Sequence, residues 1–123
     1  MRGKILGISG IKNLYPLIDK ECADITEVQY RDVDMQALPF EEDTFDFVIS
    51  DQVIEHLENP QRAIDESYRV LKEGGVALHT TCFMNRVHPC PEDYWRFSIS
   101  ASKYLCRNFS EILQCEGGET GLP

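Results

Sequence analysis

The stretch "FDFVISDQVIEHLENP", residues 45–60, decides the fold. Phe45, Phe47, Val48 and Ile49 form an apolar run that stops abruptly at Ser50-Asp51. A short run rich in β-branched and aromatic residues reads as a buried strand. In "DQVIEHL", 51–57, Val53, Ile54 and Leu57 fall at helical spacing, which predicts one or two helical turns before Pro60. Asn59 can cap a helix over 60–73, with Pro60 at its first position. Ile64, Tyr68 and Leu71 make the apolar stripe of that helix, with Ala63 and Val70 alongside. Arg62 and Glu66 are spaced as a surface ion pair, and Gly74 supplies a left-handed stop. "GVALHTTCF", 75–83, is a second buried strand.

Outward from this block, the same signals repeat. "KILGIS" (4–9) reads as a strand ended by Gly10, and "NLYPLIDK" (13–20) as a short helix with Pro16 in its first turn. "CADITEV" (22–28) is a further short strand, "VQYRDVDM" (28–35) a weaker edge strand, and "ALPFEEDTFD" (37–46) a loop. "MNRVHPCPEDYWRF" (84–97) is a long loop. Ser98 can cap a helix to about Arg107, with Tyr104 and Leu105 inward, and "SEILQC" (110–115) is a last strand. Strands alternating with helices imply an α/β fold in one domain, 1–123: a mostly parallel, Rossmann-like sheet with helices on both faces.

The chain has 123 residues, 42% hydrophobic, enough for one core and not two. A net charge of -9 without basic clusters excludes a general nucleic-acid binder. No apolar stretch is long enough to enter and span a bilayer, and "MRGKILGISG" lacks an export signal, so a soluble cytoplasmic protein is expected. Five cysteines at irregular spacing, Cys22, Cys82, Cys90, Cys106 and Cys115, favour free thiols. Cys82, His88 and Cys90 fit no zinc spacing, so no metal is expected.

In open parallel sheets, ligands sit beyond the carboxyl ends of the strands, near the point where strand order reverses. The residues expected there are Ser9, Gly10 and Ile11; Asp24; Asp34 and Met35; Ser50, Asp51 and Gln52; and Thr81 and Cys82. Asp24 reads equally as a turn cap or as a carboxylate gripping two ribose hydroxyls. Asp51 reads as a helix cap or a ligand contact. His56 reads as a buried structural donor or as a base.

Read together, "LPFEEDTFDFVISDQVIEHLENPQRAIDESYRVLKEGGVALHTTCF" resembles the core of class I S-adenosylmethionine-dependent methyltransferases of the type 11 kind. "LPF", "FDFVIS", "EHL", "NP" and "RVLKEGG" occur in that family's order and spacing, nearly continuously from Asp34 to Thr80. "HPCPEDYWRFS" resembles the section after the fifth strand in members acting on small acceptors. The resemblance implies S-adenosylmethionine as cofactor and a small-molecule acceptor. It implies that Asp34 takes the adenine amine while Met35 packs on the ring, and that Asp24 holds the ribose. It places Ser50, Asp51 and Gln52 beside the sulfonium, and the pair Glu55-His56 at the site mouth. In one quinone O-methyltransferase branch that pair and an earlier acid hold a metal; Gln52 occupies the earlier position here.

The first motif departs from the family. "ILGISGIKN" puts Gly7 at the acid, Ser9 at the first glycine and Ile11 at the second, with Gly10 rescuing part of the turn. Losing the acid's charge-assisted hydrogen bond costs about 1.5–3 kcal/mol, a ten- to hundredfold weakening. Relatives also carry elements before the first strand and beyond the sixth, so a fragment or a minimal member is expected. Its bare sheet edge would be covered by a second copy or a partner chain.

Methyl transfer needs alignment, and a base only where the acceptor must lose a proton. His56 and His88 are the candidate bases, and His79 ranks below them because it lies within a strand. The loop carrying Tyr94, Trp95 and Arg96 suits an acceptor with a flat or anionic part; Tyr94, Trp95 and Phe97 read equally as residues that close the core. The degraded first motif leaves a second reading open, an inactive methyltransferase-like domain serving as a partner or scaffold. A nicotinamide-dinucleotide enzyme stands third, because the glycine fingerprint is absent.

Overall fold

The computed structural model describes residues 1–29, 32–82, 86–87, 89 and 92–114. Four parallel strands, β1 (Gly3–Ile8), β2 (Ala23–Val28), β3 (Phe45–Asp51) and β4 (Leu71–Thr80), form one sheet in the order β2-β1-β3-β4. The chain moves from β1 outward to β2, then returns to lay β3 on the other side of β1. Strand order therefore reverses between β1 and β3, where an open α/β sheet forms its ligand crevice.

Alternation along the strands splits the core into two. Leu6, Ile8 and Val48 point to one face and pack with Met35, Leu38, Val53, Ile54, Leu57, Ala63 and Ile64. Ile5 and Ile49 point to the other face and pack with Ile11 and Ile18. Helix α1 (Pro60–Val70) covers the first face, and the 3₁₀ segment Lys12–Leu17 lies on the chain between β1 and β2. Asn59 caps α1 as its sequence suggests, its side chain accepting from the Arg62 N–H at 3.2 Å.

The structure corrects several expected elements. Helix α1 ends at Val70, and the chain passes directly into β4. Leu71 pairs with Phe45, and the ladder resumes at Val76 with Phe47, so Lys72–Gly75 bulges out. Gly74, at φ 80°, serves this bulge rather than a helix stop. Glu66 pairs with Arg69 at 2.6 Å, not with Arg62. Tyr68 leaves the buried stripe and meets Phe109 edge-on, 5.1 Å between centroids. Of the expected edge strand at 28–35, only Val28 is in a strand, at the end of β2; 29 and 32–35 form turns and coil, and 30–31 lie outside the described residues. The expected strand at 110–115 is absent over 110–114, and Cys115 lies outside the described residues. Helix α2 (Ile99–Leu105) is capped by Ser98, but its Tyr104 faces solvent and stacks under Arg107.

The "LPF" loop is held to α1 by charge. Glu66 Oε1 accepts from the Leu38 N–H at 2.9 Å. Arg69 donates to the carbonyls of Phe40 (2.8 Å) and Leu38 (3.0 Å) while chelated by Glu66. The Arg69 hydrogen bond is the main reason the Glu66 carboxyl titrates below its ordinary range. This brace ties Leu38 and Phe40 to α1 as the chain returns to β3.

Candidate active site

The crevice at the strand-order reversal is framed by two turns. β1 and β3 pair with Ile8 opposite Ser50, so the residues that follow, Ser9-Gly10 and Asp51-Gln52, emerge side by side. Ser9 (φ 62°), Gly10 (φ 77°) and Gln52 (φ 58°) all take left-handed backbone. Two of these are not glycine, and such backbone costs about 1–3 kcal/mol where it must be held in place. The holding contacts are present. The Ser9 N–H donates to the Val28 carbonyl at 2.8 Å. The Gln52 N–H reaches both the carbonyl and the hydroxyl of Thr80 at 3.1 Å. The Thr80 hydroxyl donates to Asp51 Oδ1 at 2.5 Å. A Cβ added at Gly10 would meet nothing within 4 Å, so this corner is open.

Asp34 is exposed. Its Oδ1 accepts from the Gln36 backbone and side-chain N–H groups at 2.8 and 3.1 Å, and Gln36 Oε1 accepts from the Asn59 N–H at 2.8 Å. Met35 and Ser50 are fully buried. Met35 belongs to the core over β1 and β3. The Ser50 hydroxyl is hydrogen-bonded to His79 Nδ1 at 2.7 Å, within the β3–β4 pair. Burial pushes the His79 imidazole down to about 4, so the ring is neutral near pH 7, and its Nε2 is buried without a hydrogen-bond partner.

Two expected cofactor contacts are placed otherwise. Asp24 sits opposite Lys4, at the amino end of β2, because that strand runs on to Val28. It therefore lies at the edge of the sheet opposite the crevice, and Glu27, paired with Gly7, is the β2 acid near the carboxyl edge. Glu27 accepts from the Tyr15 hydroxyl at 2.8 Å, which raises the Tyr15 pKa. The strand expected over 22–28 ends where β2 does, so Asp24, near its start, does not stand at its carboxyl end, and Glu27 is the acid that this boundary points to. Gly7 is covered by Ile11: a Cβ at Gly7 would lie 2.5 Å from Ile11 Cδ1. Ile11 is fully buried there, so the side chain missing at one motif position is replaced in space by the one gained at another.

Glu55 and His56 lie on the 3₁₀ turn Ile54–His56 that follows β3, and both are buried. His56 Nδ1 donates to the Glu92 carbonyl at 2.7 Å; a carbonyl only accepts, so in the neutral ring Nε2 keeps the lone pair. The Glu55 carboxylate accepts from Thr81 Oγ1 at 3.2 Å and Cys82 Sγ at 3.5 Å. Burial, then the Glu55 charge, pushes the Cys82 thiol up to about 11. His88 lies outside the described residues, as does Cys90. Among the described residues no cluster of His, Cys, Asp and Glu could hold a metal ion.

A family model described as a methyltransferase domain matches residues 3–79, more than half of the chain. The chain belongs to this methyltransferase family. It is 50% identical over 72 residues to the rice (Oryza sativa subsp. japonica) 2-methyl-6-phytyl-1,4-hydroquinone methyltransferase 2, chloroplastic, a match covering 58% of this chain and 19% of that protein. The chain thus matches about a fifth of the length of that curated relative. Among solved structures it is similar to phosphoethanolamine N-methyltransferase 2 of Haemonchus contortus in complex with S-adenosyl-L-methionine: TM-score 0.68, 17% identity, covering 87% of this chain and 32% of that one. It is also similar to a chain of the Haloferax volcanii complex between the Trm112 methyltransferase activator and a methyltransferase: TM-score 0.58, 17% identity, covering 85% of this chain and 59% of that one. At these identities the structural likeness establishes the Rossmann-like fold.

Proposed function

We propose that this chain is the cofactor-binding core of an S-adenosylmethionine-dependent methyltransferase acting on a small-molecule acceptor. The observation that carries the reading is the pair of left-handed corners, Ser9-Gly10 and Asp51-Gln52, standing side by side at the strand-order reversal of a methyltransferase-family sheet. The open side of Gly10 and the polar Asp51–Thr80–Gln52 network fit an adenosyl ligand laid across the crevice. Asp34 would offer its exposed carboxylate to the adenine amine. When bound, the cofactor supplies an activated methyl group on a sulfonium. The chain's own residues would align the acceptor and exclude water. His56, with Nδ1 fixed on Glu92, would serve as the base where the acceptor is a hydroxyl. The rice relative's named substrate, a hydroquinone, favours an aromatic acceptor.

A second reading, an inactive partner or scaffold domain, is favoured by one observation: Ile11 seated on Gly7 where the family carries an acid and a glycine. Among the described residues β2 and β4 are the outer strands and would offer edges for a second copy or a partner chain, and the Haloferax volcanii complex is an instance of a partnered methyltransferase. A reducing compartment such as the cytoplasm suits the free thiols of Cys22, Cys82 and Cys106. No helix among the described residues is long and apolar enough to cross a membrane.

Calorimetric titration with S-adenosylhomocysteine separates the two readings. Saturable binding by the parent chain supports the enzyme. Binding that appears only after Gly7→Asp with Ile11→Gly supports the inactive domain, and binding by neither removes the enzyme reading and leaves a scaffold without a cofactor site.

A further inference from the structure

Segment 92–97 is clamped across the carboxyl ends of β3 and β4. The Glu55 carbonyl accepts from both the Tyr94 and Trp95 N–H groups, at 2.9 and 3.1 Å. His56 Nδ1 donates to the Glu92 carbonyl, and Trp95 Nε1 donates to the Leu57 carbonyl at 2.7 Å. The Glu55 side chain reaches Thr81 and Cys82, which follow Thr80, itself the partner of Asp51 and Gln52. The clamp is therefore continuous with the polar corner of the crevice.

The clamp decides what the segment shows to solvent. Trp95 spends its one polar side-chain atom on the Leu57 carbonyl, and the residue is 43% exposed. Tyr94 is 47% exposed beside it, and the Trp95 and Phe97 rings stack at 27°, 6.4 Å apart. Arg96, between the rings, is turned away. Its guanidinium is chelated by Asp93, through Nη1 at 2.5 Å and Nη2 at 2.9 Å, and also donates to the carbonyls of Arg86 and Trp95 at 2.9 Å. The Asp93 side chain is almost wholly buried, which makes this an internal ion pair rather than a free anion receptor.

We infer that Tyr94 and Trp95 form the acceptor-facing wall of the site, held there by the main chain of Glu55–Leu57, and that the wall takes a flat, uncharged aromatic ring rather than an anion. The inference rests on the methyltransferase reading for the identity of the site, but the wall binds its ring with or without catalysis. Aromatic side chains reward planar partners through offset stacking beyond the area they bury. An anionic acceptor would have to compete with the buried Asp93 carboxylate and with two main-chain carbonyls for the Arg96 guanidinium.

The test is calorimetric titration of the full chain with 1,4-dihydroxybenzene under reductant, against its saturated analogue 1,4-cyclohexanediol and inorganic phosphate. The dihydroxybenzene binds saturably, and the two controls bind at least about tenfold more weakly. Trp95→Leu weakens binding about tenfold, whereas Trp95→Phe, which keeps a ring, stays within about threefold. Tyr94→Leu provides a second variant should Trp95→Leu fail to fold, as judged by circular dichroism. Equal binding of the saturated diol, preferential binding of phosphate, or unchanged affinity in Trp95→Leu overturns the inference. A separate S-adenosylhomocysteine titration keeps the two claims apart. Cofactor binding without ring binding sinks the wall alone; ring binding without cofactor binding sinks the methyltransferase reading alone.

Discussion

His79 makes the stability of this chain depend on pH in a way that can be worked from its surroundings. The ring is bonded to Ser50 through Nδ1, its Nε2 is buried without a partner, and burial brings its pKa from 6.5 to about 4. A depressed pKa means that the unfolded chain takes up the proton first as pH falls. The contribution is thus fully present above 6.5 and is lost as pH falls through 4. Between pH 7.5 and 4.5 the loss from this group is roughly 2–3 kcal/mol. His79→Asn places an amide near the Nδ1 position, within reach of Ser50, and does not titrate. Urea unfolding at the two pH values, in parent and variant, isolates the term, since all other titrating groups are common to both. The parent should lose roughly 2–3 kcal/mol more than His79→Asn over this interval. An equal loss in the two proteins would refute the buried, neutral imidazole.

Three further outcomes follow from other contacts. Gly7→Asp must displace Ile11, 2.5 Å from the new Cβ, and should destabilise by about 1–3 kcal/mol in thermal unfolding; adding Ile11→Gly relieves the contact at the cost of a cavity, so the two changes will not add. Ser9→Gly removes left-handed strain at φ 62° and should leave the chain about 1 kcal/mol more stable by denaturant midpoint, whereas Ser9→Val should destabilise it. Arg69→Ala frees the carbonyls of Leu38 and Phe40 and leaves Glu66 without its main partner; chemical denaturation should show a loss of about 2–3 kcal/mol, shrinking as pH falls below the ordinary glutamate range and Glu66 becomes protonated in the parent.

Much of this architecture can be read from the chain because local signals and tertiary packing agree. Phe45–Ser50, the Asn59-Pro60 cap and the run at 75–80 each specify their element through periodicity or capping. The carboxyl-edge residues Ser9, Gly10, Asp51 and Gln52 follow from where those strands stop. What escapes the sequence is set by pairing. The end of β2 at Val28 is legible, but Asp24, the acid assigned to it, lies near the strand's start, and the register with β1 puts Glu27 near the carboxyl edge instead. The end of α1 depends on Leu71 joining the β3 ladder through a bulge, a long-range choice that overrides local helix signals. Side-chain direction is equally non-local. Arg96 looks like an anion receptor in one dimension and is an internal partner of Asp93 in three. Glu55 and His56, conspicuous as a pair of titratable groups, hold the segment that follows β4.

Cofactor binding in the crevice between the two left-handed corners is the central claim, and a crystal of the chain soaked with S-adenosylhomocysteine tests it most directly. Electron density for the adenosyl group should lie across Ser9-Gly10 and Asp51-Gln52, with Asp34 within hydrogen-bonding reach. Density elsewhere on the chain, or none with Ile11 still seated on Gly7, would contradict the assignment of this crevice and leave the shared fold alone standing.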